Sequence, residues 1–343
     1  VMISASHNSY EDNGIKLFDP NGEKLSDKSE LKIESLMDKN HKTNLVDSSK
    51  LGRAKRIEDA AGRYLEFVKS TFPDELSLKK LKIVIDCANG AAYQVAPRVL
   101  WELGAEVIPI GCNPDGTNIN YKCGSTYPIH MVNMVKKHKA DIGIALDGDA
   151  DRCVLCDEKG NFIHGDKIIG LIAKRYLDQG LLEGKSIVGT KMTNKGLENY
   201  LNNLNLNLIR ANVGDRYVVE KMRENGCNIG GEQSGHIILG EYGSTGDGLV
   251  ASLQIIASMV ENNIKISKLM DIFSLMPQTV ESISYDSSHF KYKNSDQFIK
   301  DTTKMHEKLL GKEGKIIIRA SGTESKIRIM GECKNKILLN KTL

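Results

Sequence analysis

Asp147, Asp149 and Asp151 alternate along Asp147-Gly148-Asp149-Ala150-Asp151-Arg152. In a tight loop relieved by Gly and Ala, three carboxylates at this spacing can turn oxygens toward one point, and a hard divalent cation removes the repulsion that would follow. Two other readings fit the same spacing. A calcium EF-hand loop would use Asp147, Asp149, Asp151 and Glu158, but Arg152 stands where its sharp turn requires Gly and the flanks read as strands. A solvated acidic turn is the other, with Arg152 pairing to its neighbouring carboxylates.

The elements around the triad read as α/β. Residues 140–146 form an apolar run that reads as a buried strand, so the triad sits at a strand's C-terminal end, where open α/β sheets place ligands. Upstream, Lys82 to Cys87 reads as a strand, followed by Asn89-Gly90, a helix through Leu103-Gly104 and a strand from Glu106 to Ile110, a βαβ unit. Before it come a hairpin signal over residues 15–25 around Asn21-Gly22 and a helical spacing from Ile57 to Phe72. Downstream, a hairpin about Lys159-Gly160 leads to helices over 166–177 and 195–204 with a strand at 186–189 between them, then a helix over 248–260. A last segment reads as a small α+β domain, with a helix over 296–310 and strands at 315–319 and 327–333.

At 343 residues the chain exceeds the size of a usual single core, so two to four domains are expected. The net charge of +3 comes with no basic block and no apolar run of the ~18 residues a membrane span needs, so neither nucleic acid nor membrane is expected as a partner. Seven cysteines, odd in number and scattered, suggest a reducing cytoplasm rather than a disulfide framework. Cys153 and Cys156 are spaced C-x-x-C but lie in a strand with no second pair, so packed thiols are favoured over zinc or redox chemistry. The chain opens at Val1, inside a motif and without an initiator Met, which reads as a fragment. Oligomeric state has no sequence signal.

Four polar, Gly-rich loops stand out: Ile3-Ser4-Ala5-Ser6-His7-Asn8, Asp147 to Arg152, Gly231-Glu232-Gln233-Ser234-Gly235-His236, and Arg319-Ala320-Ser321-Gly322-Thr323-Glu324. Together and in this order they resemble the α-D-phosphohexomutase family, most closely its branch acting on glucosamine phosphates. Gln233, Ser4-Ala5-Ser6, residues 115–120 and Cys123-Gly124-Ser125 agree with that branch. The resemblance implies that Ser6 is the phosphoserine and that Mg²⁺ is held by Asp147, Asp149, Asp151 and the Ser6 phosphoryl group. Lys16 matches the family's general acid/base, with cationic neighbours and the metal expected to lower its pKa, and His236 shares the proton traffic. His7, Asn8 and Arg152 contact substrate. Glu232 and Ser234 grip sugar hydroxyls, and Arg319, Ser321, Gly322, Thr323 and Arg328 hold the non-reacting phosphate through backbone N–H groups, hydroxyls and guanidinium forks. Read without the family, Ser6 is a turn residue, Lys16 a solvent-facing lysine, His236 a structural histidine and the last loop an ordinary β-turn.

The implied fold is α/β, with three mixed α/β phosphohexomutase-type domains, the first incomplete, plus a C-terminal α+β domain. Boundaries are expected at 1–52, 53–142, 143–265 and 266–343, with the metal and sugar loops in the third. The implied activity interconverts glucosamine 6-phosphate and glucosamine 1-phosphate through a hexosamine or hexose 1,6-bisphosphate, which also serves as activator, in a single cleft fed by four loops. The product supplies UDP-N-acetylglucosamine and peptidoglycan precursors. A phosphomannomutase/phosphoglucomutase of the same mechanism and a non-catalytic phosphosugar-binding fragment are the alternatives. Ser9 and Ser325 replace prolines usual in the family, which relaxes both loops. The family's Gly-Thr-Asp-Gly-x-Arg-Gly segment, source of an active-site arginine, is not in this sequence, so an N-terminally truncated chain of low activity is expected.

Overall fold

The computed structural model describes residues 1–20, 22–37, 46–284, 296–311, 314–320 and 326–342. In chain order its strands and α-helices are β1 (Met2–Ser4), β2 (Gly14–Lys16), α1 (Asp27–Met37), α2 (Ala60–Ser70), β3 (Lys82–Asp86), α3 (Val95–Glu102), β4 (Glu106–Ile110), α4 (Ile129–His138), β5 (Ile142–Leu146), β6 (Cys153–Asp157), β7 (Phe162–Ile163), α5 (Gly165–Gln179), β8 (Ser186–Thr190), α6 (Lys195–Asn203), β9 (Asn207–Ala211), α7 (Asp215–Asn225), β10 (Ile229–Gly231), β11 (Ile237–Leu239), α8 (Gly248–Asn262), α9 (Ile266–Leu269), β12 (Gln278–Ser284), α10 (Asp296–Leu310), β13 (Lys315–Ala320), β14 (Lys326–Glu332) and α11 (Lys336–Thr342). They fall into two compact units, one of residues 1–163 and 237–267, the other of 164–236 and 268–343. Among the described residues no helix is long and apolar enough to cross a membrane.

In the first unit the main sheet has the order β4-β3-β5-β6-β7. β3 runs parallel to β4 and β5, and β5 to β7 continue as an antiparallel meander. The expected boundary at 142/143 falls inside this sheet, because β5 pairs with β3 on one side and β6 on the other. All five residues of β5 are buried, with α4 and α8 packed against the strand. An apolar run without alternation is what a strand covered on both faces requires. Met131, Val132 and Val135 at helical spacing on α4 close over Val84, Ala145 and Cys156, each buried side chain contributing about 1.5–3 kcal/mol. α8 is buried from Gly248 to Met259, as expected of a helix apolar on nearly every face.

A small antiparallel pair, β1 with β2, sets Ser4 opposite Gly14 and Met2 opposite Lys16. Beyond it Phe18 and Lys24 bridge antiparallel, as the hairpin signal required, although Asn21 lies outside the described residues.

In the second unit β10, β8 and β9 form a parallel layer, with α5, α6 and α7 as connections or neighbours. The C-terminal segment is an antiparallel sheet of order β12-β14-β13, with α10 against β13 and a core of Leu310, Ile316, Cys333 and Leu339. Glu332 of β14, almost wholly buried, accepts from Lys195 N at the start of α6 at 3.2 Å. A carboxylate there satisfies amides that a helix start leaves unpaired.

The turn after β3 presses on the loop after β5. A Cβ at Gly90 would stand 2.3 Å from Gly148 O and 2.6 Å from Gly148 Cα, both backbone atoms. Gly90→Ala is therefore expected to destabilise the first unit by roughly 1–3 kcal/mol, the usual cost of overpacking, seen as a lower urea midpoint. An unchanged midpoint contradicts the contact.

Candidate functional site

The loop after β5 delivers its carboxylates to one place: oxygens of Asp147, Asp149 and Asp151 lie within 4.8 Å of one another. Asp147 is fully buried, with Oδ1 accepting from Arg152 N at 3.1 Å. Its Oδ2 and Asp149 Oδ1 are buried and accept no hydrogen bond. Burial, with Asp151 and Asp149 beside it, pushes the Asp147 carboxyl up to about 8. Buried oxygens without donors, close enough to share one centre, fit a hard divalent cation held by oxygen ligands. Glu158 accepts instead from Ser267 N and Oγ, at 3.2 and 2.6 Å, and the loop is flanked by β5 and β6, so the EF-hand reading is excluded. Ala150 holds a left-handed φ of +60°, and its carbonyl accepts from Gly248 N at 2.9 Å, at the start of α8.

Ser6 is bound to this loop through its backbone. It too is left-handed, at φ +50°, a conformation that persists in a non-Gly residue only where the surroundings enforce it. Gly148 N donates to Ser6 O at 3.1 Å. Asn120 Nδ2 donates to Ser6 O and Asn8 O at 2.8 and 2.7 Å. Ser6 N donates to Ser4 Oγ at 2.8 Å, and Ser4 Oγ donates to Asp149 Oδ2 at 2.9 Å. One hydroxyl thus connects the Ser6 turn to the acidic loop. Ser6 Oγ lies 3.3 Å from His7 Nδ1. Burial, then Arg152, holds the His7 pKa below the usual histidine range.

Lys16 Nζ donates to Asp149 Oδ2 at 2.6 Å and lies 3.7 Å from Asp151 Oδ2. Both of these carboxylates belong to the aspartate cluster. A cavity of about 300 Å³ opens beside them, lined by Lys16, Asp149, Asp151, Met2, Phe18 and Tyr64. Cys153 and Cys156 are buried in β6, and burial pushes both thiols up to about 12, consistent with packing residues.

The third loop belongs to the second unit. Glu232 N donates to His236 O at 2.8 Å, and Gly235, at φ +90°, closes the turn by donating to Glu232 O at 3.0 Å. Ser234 is exposed, with Oγ 3.4 Å from Glu232 Oε2. His236 is only 2% exposed, with Nε2 3.8 Å from Asp215 Oδ2, so its ring is a buried partner of Asp215 rather than an open group. Gly214 N donates to Glu232 Oε1 at 2.8 Å. The sequence reading missed this turn; its signal was Gly214 followed by an acidic first residue, Asp215, opening a helix, and in the fold Gly214 takes φ +127°. Asn120 and Ser4 were noted only as branch markers, not as positioning groups.

On the C-terminal sheet, Arg328 is half-buried on β14, opposite Arg319 on β13 and Ser282 on β12. The Arg319 side chain and Ser321, Gly322 and Thr323 lie outside the described residues.

Four family models match consecutive parts of the chain: phosphoglucomutase/phosphomannomutase alpha/beta/alpha domain I at residues 1–44, domain II at 62–160, domain III at 164–276 and the C-terminal domain at 277–342. The chain therefore belongs to the phosphoglucomutase/phosphomannomutase family of α-D-phosphohexomutases and is an isomerase that moves a phosphoryl group. Its curated relatives include the phosphoglucosamine mutase of Parvibaculum lavamentivorans, 54% identical over 97% of this chain and 73% of that protein. That of Caulobacter vibrioides is 53% identical over 100% of this chain and 76% of its own length. Among solved structures, a phosphoglucomutase/phosphomannomutase family protein from Burkholderia thailandensis superposes with a TM-score of 0.78 at 21% identity, over 99% of this chain and 73% of that one. The Aspergillus fumigatus N-acetylphosphoglucosamine mutase, solved with GlcNAc-6P and magnesium, gives 0.70 at 19%, covering 99% and 86%.

Cation binding should be strongly pH-dependent. In the unfolded chain Asp147 loses its proton near the usual 3.8, whereas the cation-free fold keeps it to about 8. The cation-free protein is therefore expected to lose stability as pH rises between those values. Because a ligating carboxylate must shed its proton, affinity should rise up to tenfold per pH unit below about 8 and level off above it. Calorimetric titration of Mg²⁺ across pH 6 to 9 checks this, and a flat profile contradicts the protonation of Asp147.

Proposed function

We propose that this enzyme interconverts glucosamine 6-phosphate and glucosamine 1-phosphate, with Ser6 as the phosphorylated residue and a hexosamine 1,6-bisphosphate as intermediate. The observation that carries the reading is the path from Ser6 N through Ser4 Oγ to Asp149, which ties the proposed donor to the carboxylate cluster. Asp147, Asp149 and Asp151 would hold the divalent cation, Mg²⁺ in our reading, which when bound neutralises charge on the phosphoryl oxygens.

In the first unit the left-handed turn at Ser6 presents its Oγ beside His7. The phosphoryl group leaves Ser6 Oγ for a free sugar hydroxyl, whose proton is taken up as the new P–O bond forms. Lys16, its Nζ beside Asp149 and Asp151, is the assigned acid/base: as the neutral amine it takes up that proton, and as the ammonium it returns it to the sugar oxygen that gives up its phosphoryl group in the second transfer. His7, Asn8 and Arg152 orient the phosphoryl group, and the low pKa of His7 keeps its imidazole neutral, able both to donate and to accept. The bisphosphate then returns its other phosphoryl group to Ser6, regenerating the donor, so a hexose or hexosamine 1,6-bisphosphate also serves as activator. In the second unit Glu232 and Ser234 are assigned to sugar hydroxyls, while Arg319, Ser321, Gly322, Thr323 and Arg328 are assigned to the non-reacting phosphate, whose binding aligns the reacting end. His236 is assigned to steadying that loop through Asp215. For domain limits we favour those that keep the β4-β3-β5-β6-β7 sheet whole. A cytoplasmic location accords with seven free cysteines.

Incubation with glucose 1,6-bisphosphate is expected to label Ser6, not Ser4, by phosphopeptide mapping, and Ser6→Ala should abolish label and turnover together. Label on Ser4 overturns the assignment. Turnover should favour glucosamine 6-phosphate over glucose and mannose phosphates; the reverse order makes the enzyme a phosphomannomutase/phosphoglucomutase, and binding without labelling makes it a phosphosugar-binding protein. Arg328→Ala should weaken phosphosugars about ten- to a hundredfold, the worth of one charge-assisted contact, while leaving free sugars unchanged. Equal losses for both would make Arg328 structural.

A further inference from the structure

Asn120 stands midway along the loop of residues 111–128, between β4 and α4. This loop is stiffened by its own side chains. Asp115 Oδ1 accepts from Thr117 N and Asn118 N at 2.8 and 2.9 Å, while the Asn118 amide accepts from Asp115 N at 3.1 Å and donates to Asn113 O at 3.0 Å. It is also moored to the ends of β3 and β5. Asn113 N donates to Asn89 Oδ1 at 3.1 Å and Gly124 N to Asp86 Oδ2 at 2.9 Å. Asn120 N donates to Ala88 O at 2.9 Å and Ser125 N to Leu146 O at 2.8 Å. A Cβ at Gly124 would lie 2.4 Å from Ala88 Cβ and 2.5 Å from Leu146 O, so the loop has no room to drift.

What this fixed loop delivers is one amide. Asn120 is 9% exposed, with a left-handed φ of +57°, a conformation asparagine accepts more readily than most residues. Both contacts of Nδ2, to Ser6 O at 2.8 Å and Asn8 O at 2.7 Å, are carbonyls, so the nitrogen and not the oxygen must face them. Oδ1 is buried and accepts from none of the described groups. The contribution of this side chain therefore lies in its two N–H donors, which hold the backbone on either side of His7.

The held backbone is a strained one. Ser6 stands at φ +50°, which a non-Gly residue keeps only while its surroundings enforce it. The enforcing contacts are three: Asn120 Nδ2 and Gly148 N, both on Ser6 O, and Asn8 N on Ala5 O at 2.8 Å. A backbone that left this region would carry Ser6 O off its two donors and Ser6 Oγ away from His7 Nδ1, now 3.3 Å distant. Of the three contacts, Asn120 alone is made by a side chain, so it alone can be removed by substitution without altering the main chain.

We propose that Asn120 is a positioning residue for phosphoryl transfer at Ser6: its amide holds the Ser6-His7-Asn8 backbone in the left-handed turn from which Ser6 Oγ gains and gives up its phosphoryl group. It acts through that backbone and touches neither the phosphoryl group nor the cation. The inference rests on the assignment of Ser6 as the phosphorylated residue and adds to it the group that sets how fast Ser6 reacts. In-line transfer tolerates little error in the position of the attacking oxygen, a misplacement of about 1 Å costing about a hundredfold in rate. Loss of the two donors is therefore expected in the maximal rate of transfer, not in the binding of Mg²⁺ or of the bisphosphate.

The test follows labelling of Ser6 in the full 343-residue chain by labelled glucose 1,6-bisphosphate at saturating Mg²⁺, reading the rate constant and the final amplitude separately. Asn120→Ala should label about ten- to a hundredfold more slowly and reach the amplitude of the unsubstituted protein, with the half-saturating bisphosphate concentration and the calorimetric Mg²⁺ affinity unchanged. A merely structural role gives the opposite pattern, a smaller amplitude with the folded molecules labelling at the parental rate, and that result overturns the proposal. So does a loss of Mg²⁺ affinity matching the loss of rate. Asn120→Asp keeps the size of the side chain and, as a carboxylate, removes both donors; it should slow at least as much, and a parental rate constant in it overturns the donor role whether or not Asn120→Ala folds. Failure of both variants to fold makes Asn120 structural and likewise overturns it. Absence of label from Ser6 in the unsubstituted protein refutes the serine reading and the positioning role with it, whereas a labelled parent and an equally fast Asn120→Asp refute the positioning role alone.

Discussion

Mutual repulsion among three carboxylates at the end of β5 is the constraint around which the first unit is arranged. Left alone in a low-dielectric loop, they would take up a proton or move apart. The fold instead holds them by their backbone, between a turn that abuts Gly148, a serine turn hydrogen-bonded to the same glycine, and the first amide of α8 on Ala150. Countercharge is local: the Lys16 ammonium on Asp149, and the Arg152 amide on Asp147. The proton retained by Asp147 is the remaining unfavourable charge expressed as a pKa.

The same constraint explains why Gly148 is flanked so closely. A Cβ there would lie 2.5 Å from Ser6 O. Only a residue without a side chain lets the proposed phosphoserine turn and the acidic loop share backbone hydrogen bonds. In the second unit the analogous work falls to the His236–Asp215 contact and the Gly214 amide on Glu232, so the loop of residues 231–236 is steadied by the turn that opens α7.

Much of this was legible in the chain. The apolar run at 140–146 and alternating acids at 147–151 announced both the strand, observed as Ile142–Leu146, and the cluster at its end, because a strand buried on both faces and a shared charge site each leave a local pattern. What was illegible is tertiary. Nothing near Ser4 announces that its hydroxyl reaches Asp149, 145 residues away, nor that Asn120 would clamp the Ser6 turn. α7 was overlooked because only Val218 and Met222 of its eleven residues are buried, a stripe too thin to stand out from a polar segment. That the Lys16 ammonium reaches Asp149, 133 residues away, was equally unreadable, since a side chain's surroundings depend on what the fold brings from elsewhere.

α8 has a role beyond its packing. Its first amide meets Ala150 of the acidic loop, and a Cβ at Gly248 would lie 2.4 Å from Arg152 O. Asp247 caps it, receiving Leu249 N and Val250 N as well as the Tyr64 hydroxyl. The positive end of a helix buried over most of its length is thereby part of the electrostatic cage. In a genetic screen, lesions along the apolar body of that helix would tilt its first turn and score as active-site defects, although the altered side chains touch no ligand. A catalogue of loss-of-function alleles would thus draw the boundary of the functional site well inside the hydrophobic core.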